Sequence, residues 1–170
     1  MGFQITPMKT NLILTTFAAA VAASILVFAQ ESVHGEMAGA NLYPPGDIQW
    51  KDGPPSLPKG AKIAVLEGDP AKEGPFVMRV KVPDGFHIPA HTHPKPERVT
   101  IIQGTFKLAM GDKLNRADAN TLPTGTYGVW PPGMVHAVWT EGETIVQFHG
   151  MGPWVINYVN PADDPRKAAK

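Results

Sequence analysis

An all-β domain is what this sequence predicts, and three observations carry the prediction. Gly 17 and Pro 18 make up about a fifth of the 170 residues, against a usual combined share of roughly 12%, so long helices cannot fill the chain. The 43% hydrophobic content is enough to bury a core, which reads the Gly and Pro as turns rather than as disorder. The apolar residues fall in short runs separated by breakers, the pattern of many brief strands. At roughly 100–200 residues per domain, the length allows one such domain. Fifteen basic residues balance fifteen acidic ones, so there is no basic surplus for nucleic acid or an anionic membrane surface. With no cysteine, disulfides, thiolate metal sites and a cysteine nucleophile are excluded, and any metal must be held by His and carboxylate.

The first element is an address. Leu12 to Ala29 is an uncharged apolar run behind a start carrying only Lys9, and it closes on Val27-Phe28-Ala29, small residues at the positions a signal peptidase reads. Residues 1–29 are thus expected to be a cleavable signal peptide and the mature protein to be periplasmic or secreted. A second small-residue site, Ala38-Gly39-Ala40, is the alternative cleavage point. An uncleaved anchor is the alternative fate, since the run approaches the ~20 residues that span a bilayer. Cleavage would leave a nearly neutral chain that is not an integral membrane protein.

Residues 30–60 are rich in Pro and Gly without helical or strand period. They predict an extended arm with one or two short edge strands, anchored by Tyr43, Ile48, Trp50 and Leu57. Residues 61–160 carry the strands. Ile63 to Leu66 comes first, and then Phe76, Met78, Val80 and Val82 alternate with polar or smaller neighbours at period 2, a half-buried strand. Runs follow at Val99–Ile102, Thr105–Met110, Tyr127–Trp130, Val135–Trp139, Thr144–Phe148 and Trp154–Val159. Turns are expected between them at Gln103-Gly104, Pro131-Pro132-Gly133 and Glu141-Gly142-Glu143, among others. Eight or nine such strands make a sandwich or barrel. Only Lys113 to Asn120 looks briefly helical, and residues 161–170 read as a polar tail.

The chemistry lies in two segments. In GFHIPAHTHPKPERVTIIQG, residues 85–104, His91 and His93 are two apart, which puts both imidazoles on one face of a strand. The prolines before Glu97 break the strand and let the carboxylate swing toward the same point. In GTYGVWPPGMVHAVWT, residues 125–140, His136 follows a Pro-Pro-Gly turn and could join them from a second strand. Three imidazoles and a carboxylate suit one divalent transition metal, Fe, Mn, Zn, Cu or Ni, whereas Ca would want more oxygens. On a six-coordinate ion this set leaves two open positions, which a catalytic metal needs.

These segments resemble the two motifs of the cupin superfamily. Gly85, His91, His93, Glu97 and Gly104 match G-x5-H-x-H-x3-E-x6-G, and Gly125, Pro131, Gly133 and His136 match G-x5-P-x-G-x2-H; the asparagine that ends the second motif is Thr140 here. The resemblance implies a jelly-roll β-barrel with one metal inside its mouth, held by the four residues named, and homodimers formed by sheet packing and arm exchange. It leaves the reaction open, because the family spans dioxygenases, isomerases, lyases and binding proteins. The expectation is a small-molecule enzyme of dioxygenase-like or isomerase/lyase-like chemistry. The alternative is a metal-dependent binding or storage protein without turnover.

Other residues are weighed as neighbours of that site. His87 and His149 could contact it from the second layer, although Pro89 is expected to interrupt the pairing of the His87 strand; His34 falls in the arm. Trp130, Trp139, Met110, Met134, Phe106 and Tyr127 read first as core and second as pocket lining. Lys95 and Arg98 read as exposed charges with a lesser prospect of binding an acidic group. Trp154 is expected to pack against the arm with no chemical role. A second acid or base beside the metal, with Tyr127 or His149 as candidates, would favour an enzyme over a binder.

Overall fold

The computed structural model describes residues 1–2, 39–111 and 114–167. The expected signal peptide, residues 1–29, lies outside the described residues, apart from its first two. The chain divides into two units, Met1–Ala40 and Asn41–Lys170, and the architecture below is that of the second. Among the described residues no helix is long and apolar enough to cross a membrane.

Among the described residues nine strands build the domain: β1 (Lys51–Asp52), β2 (Lys62–Gly68), β3 (Gly74–Val82), β4 (His87–Thr92), β5 (Glu97–Met110), β6 (Asn120–Pro123), β7 (Tyr127–Trp130), β8 (His136–Gly152) and β9 (Asn157–Tyr158). All their pairings are antiparallel. The path runs β1-β2-β3-β8-β4-β9, with β5 paired to β6, β7 and β8. Among the described residues these pairings do not close into a ring. The alternation read in β3 is the observed one: Phe76, Met78, Val80 and Val82 face the core together with Val99, Ile101, Leu108 and Val146.

The turns expected at Gln103-Gly104 and Glu141-Gly142-Glu143 are instead bends within two long strands. β5 runs for 14 residues and β8 for 17, and they pair with each other on both sides of the bend, with register shifts at Ile101/Gln103 and Gln103/Thr105. Before the bend β8 also pairs with β4, and after it with β3. Strands that change partners at a bulge are how a rolled sheet turns its corner. Gly104 makes that corner possible: its φ is +79°, and a Cβ there would lie 2.5 Å from Thr144 Oγ1 and 2.6 Å from the Glu143 carbonyl oxygen.

Pro89 does not end the His87 strand either. β4 continues through it with an irregularity between Ile88 and His91, where the missing proline N–H is tolerated. The region expected to be briefly helical holds a 3-10 turn, Arg116–Asp118, in which the Asn115 side chain accepts from the Asp118 N–H. β6 follows it, a strand the sequence reading does not contain.

In the arm, β1 forms an edge strand on β2. Ile48 and Leu57 are buried while Tyr43 is exposed, and Lys81 Nζ sits 4.7 Å over the Trp50 ring. The Tyr158 hydroxyl donates to the Ser56 carbonyl at 2.8 Å, tying the Leu57 loop to β9. Tyr158→Phe is expected to cost about 1 kcal/mol, the usual net worth of one such bond, measured as a lowered urea midpoint at unchanged slope. Beyond β9, Arg166 pairs with Asp164 at 2.7 Å and donates to the Ile156 carbonyl at 3.1 Å.

Candidate metal centre

Strand parity and register bring the four expected residues together. His91 lies near the end of β4 and His136 opens β8, and the two are direct cross-strand partners. His93 is two residues beyond His91, just past the end of β4, and Glu97 opens β5. All four are buried, none more than 5% exposed. The three histidines present ligand atoms within 4.8 Å of one another. Glu97 Oε1 is 3.4 Å from His93 Nε2, and Oε2 is 3.8 Å from His136 Nε2.

Backbone carbonyls decide the tautomers. His91 Nδ1 is 2.7 Å from the Pro89 oxygen, His93 Nδ1 is 2.8 Å from that of Val155, and His136 Nδ1 is 3.0 Å from that of Met134. A carbonyl only accepts, so each Nδ1 carries the proton and each Nε2 keeps a lone pair. This is the outer-sphere arrangement that orients metal-binding imidazoles. Among the described residues, the buried His93 Nε2 has no hydrogen-bond partner. An orphaned acceptor of that kind is costly unless something electrophilic faces it. The residues therefore fit a divalent transition metal, with soft-to-borderline nitrogen donors and one carboxylate.

Burial dominates the electrostatics. It pushes the His91 imidazole down to about 2 and His93 down to about 4, with neighbouring imidazoles adding to the effect, and it lowers His136 as well. It raises Glu97 to about 7, against the indole N–H of Trp154, which favours the carboxylate. A histidine held below 6.5 refuses a proton that the unfolded chain accepts, so stability falls as pH drops through 6.5. Glu97 works the other way between about 7 and 4.5, where the fold keeps a proton the unfolded chain has released. Three groups outnumber one. Metal-free protein should therefore show a lower urea midpoint at about pH 5 than at about pH 7.5, and an unchanged or higher midpoint would contradict the burial of these imidazoles.

The four residues line a small cavity of about 20 Å³, room for roughly one water. Its remaining walls are apolar, among them Leu57, Val80, Phe106, Phe148 and Ile156. Of the six aromatic and Met residues considered as lining, Phe106 reaches this cavity, Trp130 and Met134 belong to the core, and Tyr127 and Met110 are exposed. Trp139 stacks on His87 at 4.7 Å on the other face of its strand, and His149 faces Tyr127 at 6.1 Å. Neither candidate second acid or base lines this cavity, and His149 lies instead on an adjoining cleft with His93 and Glu97. Lys95 is tied to Glu73 at 2.9 Å and to the Gly152 carbonyl. Arg98 is on the opposite face of β5 from Glu97.

Trp154 is the residue to which sequence reasoning assigned no chemical role; it shares the cavity wall with Leu57 of the arm. Its indole N–H donates to Glu97 Oε1 at 2.8 Å, and its ring stacks on His93 at 5.6 Å and 21°. One signal was available: a largely buried tryptophan seeks an acceptor for its N–H.

Comparison with known proteins supports the fold. No curated protein matches the sequence at a significant level. Among solved structures, the polyketide cyclase RemF from Streptomyces resistomycificus superposes with a TM-score of 0.62 at 14% identity, over 75% of this chain and 91% of that one. A putative acetylacetone dioxygenase from Methylibium petroleiphilum PM1 gives 0.56 at 18% identity, over 74% and 85%. The acetylacetone dioxygenase from Acinetobacter johnsonii gives 0.54 at 15%, over 74% and 79%. At these identities the likeness is one of fold. The family model described as the ChrR cupin-like domain matches residues 39–155, more than half of the chain and both histidine segments, and the chain belongs to that cupin family.

Proposed function

We propose that the protein binds one divalent transition metal through His91, His93, Glu97 and His136 and uses it in dioxygenase-like chemistry on a small molecule outside the cytoplasm. The observation that carries the reading is the convergence of three imidazoles whose Nδ1 atoms are all capped by backbone carbonyls, leaving three Nε2 lone pairs within 4.8 Å of one another. A metal bound there would supply Lewis-acid or redox chemistry at coordination positions the protein does not fill. Export is supported by the uncharged run from Leu12 to Ala29.

The protein's own residues do the rest. Backbone carbonyls hold the imidazoles in one tautomer, Trp154 fixes one carboxylate oxygen, and the apolar walls exclude water, which strengthens every electrostatic interaction inside. Among the described residues, the ionisable side chains on the wall of this cavity are the four proposed ligands. Isomerase or lyase chemistry needs a separate proton carrier; His149 lies on an adjoining cleft with His93 and Glu97, so oxygen uptake is the measurement that separates that option from dioxygenase-like chemistry.

A second reading, metal-dependent binding without turnover, is favoured by the cavity's size, since about 20 Å³ admits no organic substrate as it stands, and by the lack, among the described residues, of a second acid or base on its wall. Metal analysis of protein purified from its exported location, followed by oxygen-electrode screening against small diketones and phenols, separates the two. Metal present with oxygen uptake supports the enzyme, metal present without uptake supports the binder, and absence of metal refutes both.

A further inference from the structure

Two consecutive residues, Trp154 and Val155, contact two of the four proposed ligands. The Val155 carbonyl accepts from His93 Nδ1 at 2.8 Å, while Trp154 covers the face of the same imidazole and donates its indole N–H to Glu97 Oε1 at 2.8 Å. Oε1 is also the oxygen nearer His93, and Oε2 is left facing His136. The segment is anchored independently of the ligands. The Trp154 backbone N–H donates to the Pro70 carbonyl at 2.7 Å, and Lys95 Nζ binds the carbonyl of Gly152.

Core filling alone does not account for this. An indole N–H is a donor with a single direction, and pairing is not automatic in this protein: the Nε1 of the buried Trp130 has no partner among the described residues. Trp154 spends its one donor on a carboxylate that nothing else among the described hydrogen bonds holds. A freely rotating carboxylate would present its two oxygens interchangeably, and each metal-binding event would have to stop that rotation.

We infer that Trp154 is a positioning residue of the metal centre, whose indole N–H locks the Glu97 carboxylate in the orientation that completes the three-histidine set. The inference rests on the metal-binding reading above and assigns Trp154 no contact with the metal. Its effect passes through Glu97, so removing the N–H matters only while the carboxylate is present. Outer-sphere hydrogen-bond partners of metal ligands are typically worth about 10–100-fold in affinity, which sets the expected size.

The test is a double-mutant cycle on the full-length chain, with Zn2+ affinity measured by competition against a chromophoric chelator. Trp154→Phe keeps an aromatic ring over His93 and removes the donor, and the Glu97→Ala background controls for the ring atoms lost with it. It should weaken Zn2+ binding by about tenfold or more in the wild-type background and by less than about twofold in Glu97→Ala. The Co2+ d–d spectrum should change on Trp154→Phe in the first background and coincide in the second. Equal losses in both backgrounds, or no loss in the first, would overturn the inference while leaving the metal site standing. Wild-type protein that binds no Zn2+ would overturn both. A further measurement does not depend on the Phe variant folding: the Trp154 indole N–H resonance of the metal-free wild type, shifted downfield by its carboxylate acceptor, should move upfield in Glu97→Ala, and an unmoved resonance sinks the inference.

Discussion

Replacing His91 and His93 together with alanine will strip the protein of metal while leaving it folded. The two imidazoles are separate donors, and losing a ligand should exceed the roughly 10–100-fold typical of losing an outer-sphere partner, so an apparent affinity at least about a thousandfold weaker is expected for the pair. Elemental analysis of wild type and variant, prepared side by side, reads the loss directly as metal per chain. Urea unfolding of both metal-free proteins shows that the variant still folds. The substitution removes side chains that resist protonation, but it also removes the Nδ1–H donors to the Pro89 and Val155 carbonyls, so its cost to the metal-free fold is the volume lost plus two hydrogen bonds of about 1 kcal/mol each. Unchanged metal content would mean that the ion, if any, is elsewhere.

The second large effect is on the fold. Gly104→Ala should destabilise the domain by about 2–4 kcal/mol, combining a left-handed backbone that an L side chain adopts at a cost with a direct clash. The added Cβ would meet Thr144 Oγ1 at 2.5 Å and backbone atoms of residues 143 and 144 at under 3 Å. Backbone cannot rotate aside as a side-chain tip can. Thr144 itself is fully buried, and its hydroxyl donates to the Gly142 carbonyl at 3.1 Å with the Thr105 carbonyl also within 3.4 Å, so the collision disturbs β5 and β8 at the bend they share. Guanidinium unfolding at fixed pH measures the change, and a loss below about 0.5 kcal/mol would show that the corner can shift freely.

Gly104 also shows where the sequence was legible and where it was not. Period 2 in Phe76 to Val82 located β3, and the i, i+2 spacing of His91 and His93 placed both on one face, because those rules depend only on neighbours along the chain. A Gly flanked by polar residues signals a left-handed backbone, but the same signal serves a hairpin turn and a bulge. Whether the strand ends there depends on what lies opposite, so β5 and β8 each read as two strands. The contact of Trp154 with Glu97 joins residues 57 apart, and the burial of Leu57 beside His93 likewise depends on packing across the domain. No local pattern encodes either. The four proposed ligands were found because their spacing within each segment is local, while the carbonyls that orient them became visible only in three dimensions.

The family match stops at Val155, one residue short of a wall of the cavity. Ile156 is 1% exposed and lines it, Arg166 grips the Ile156 carbonyl, and Tyr158 tethers the loop that carries Leu57. A chain trimmed to the conventional boundary would keep every proposed ligand yet lose part of the shell that keeps bulk solvent off them. The working unit is thus longer than the recognisable one, and an expression fragment should run through Arg166.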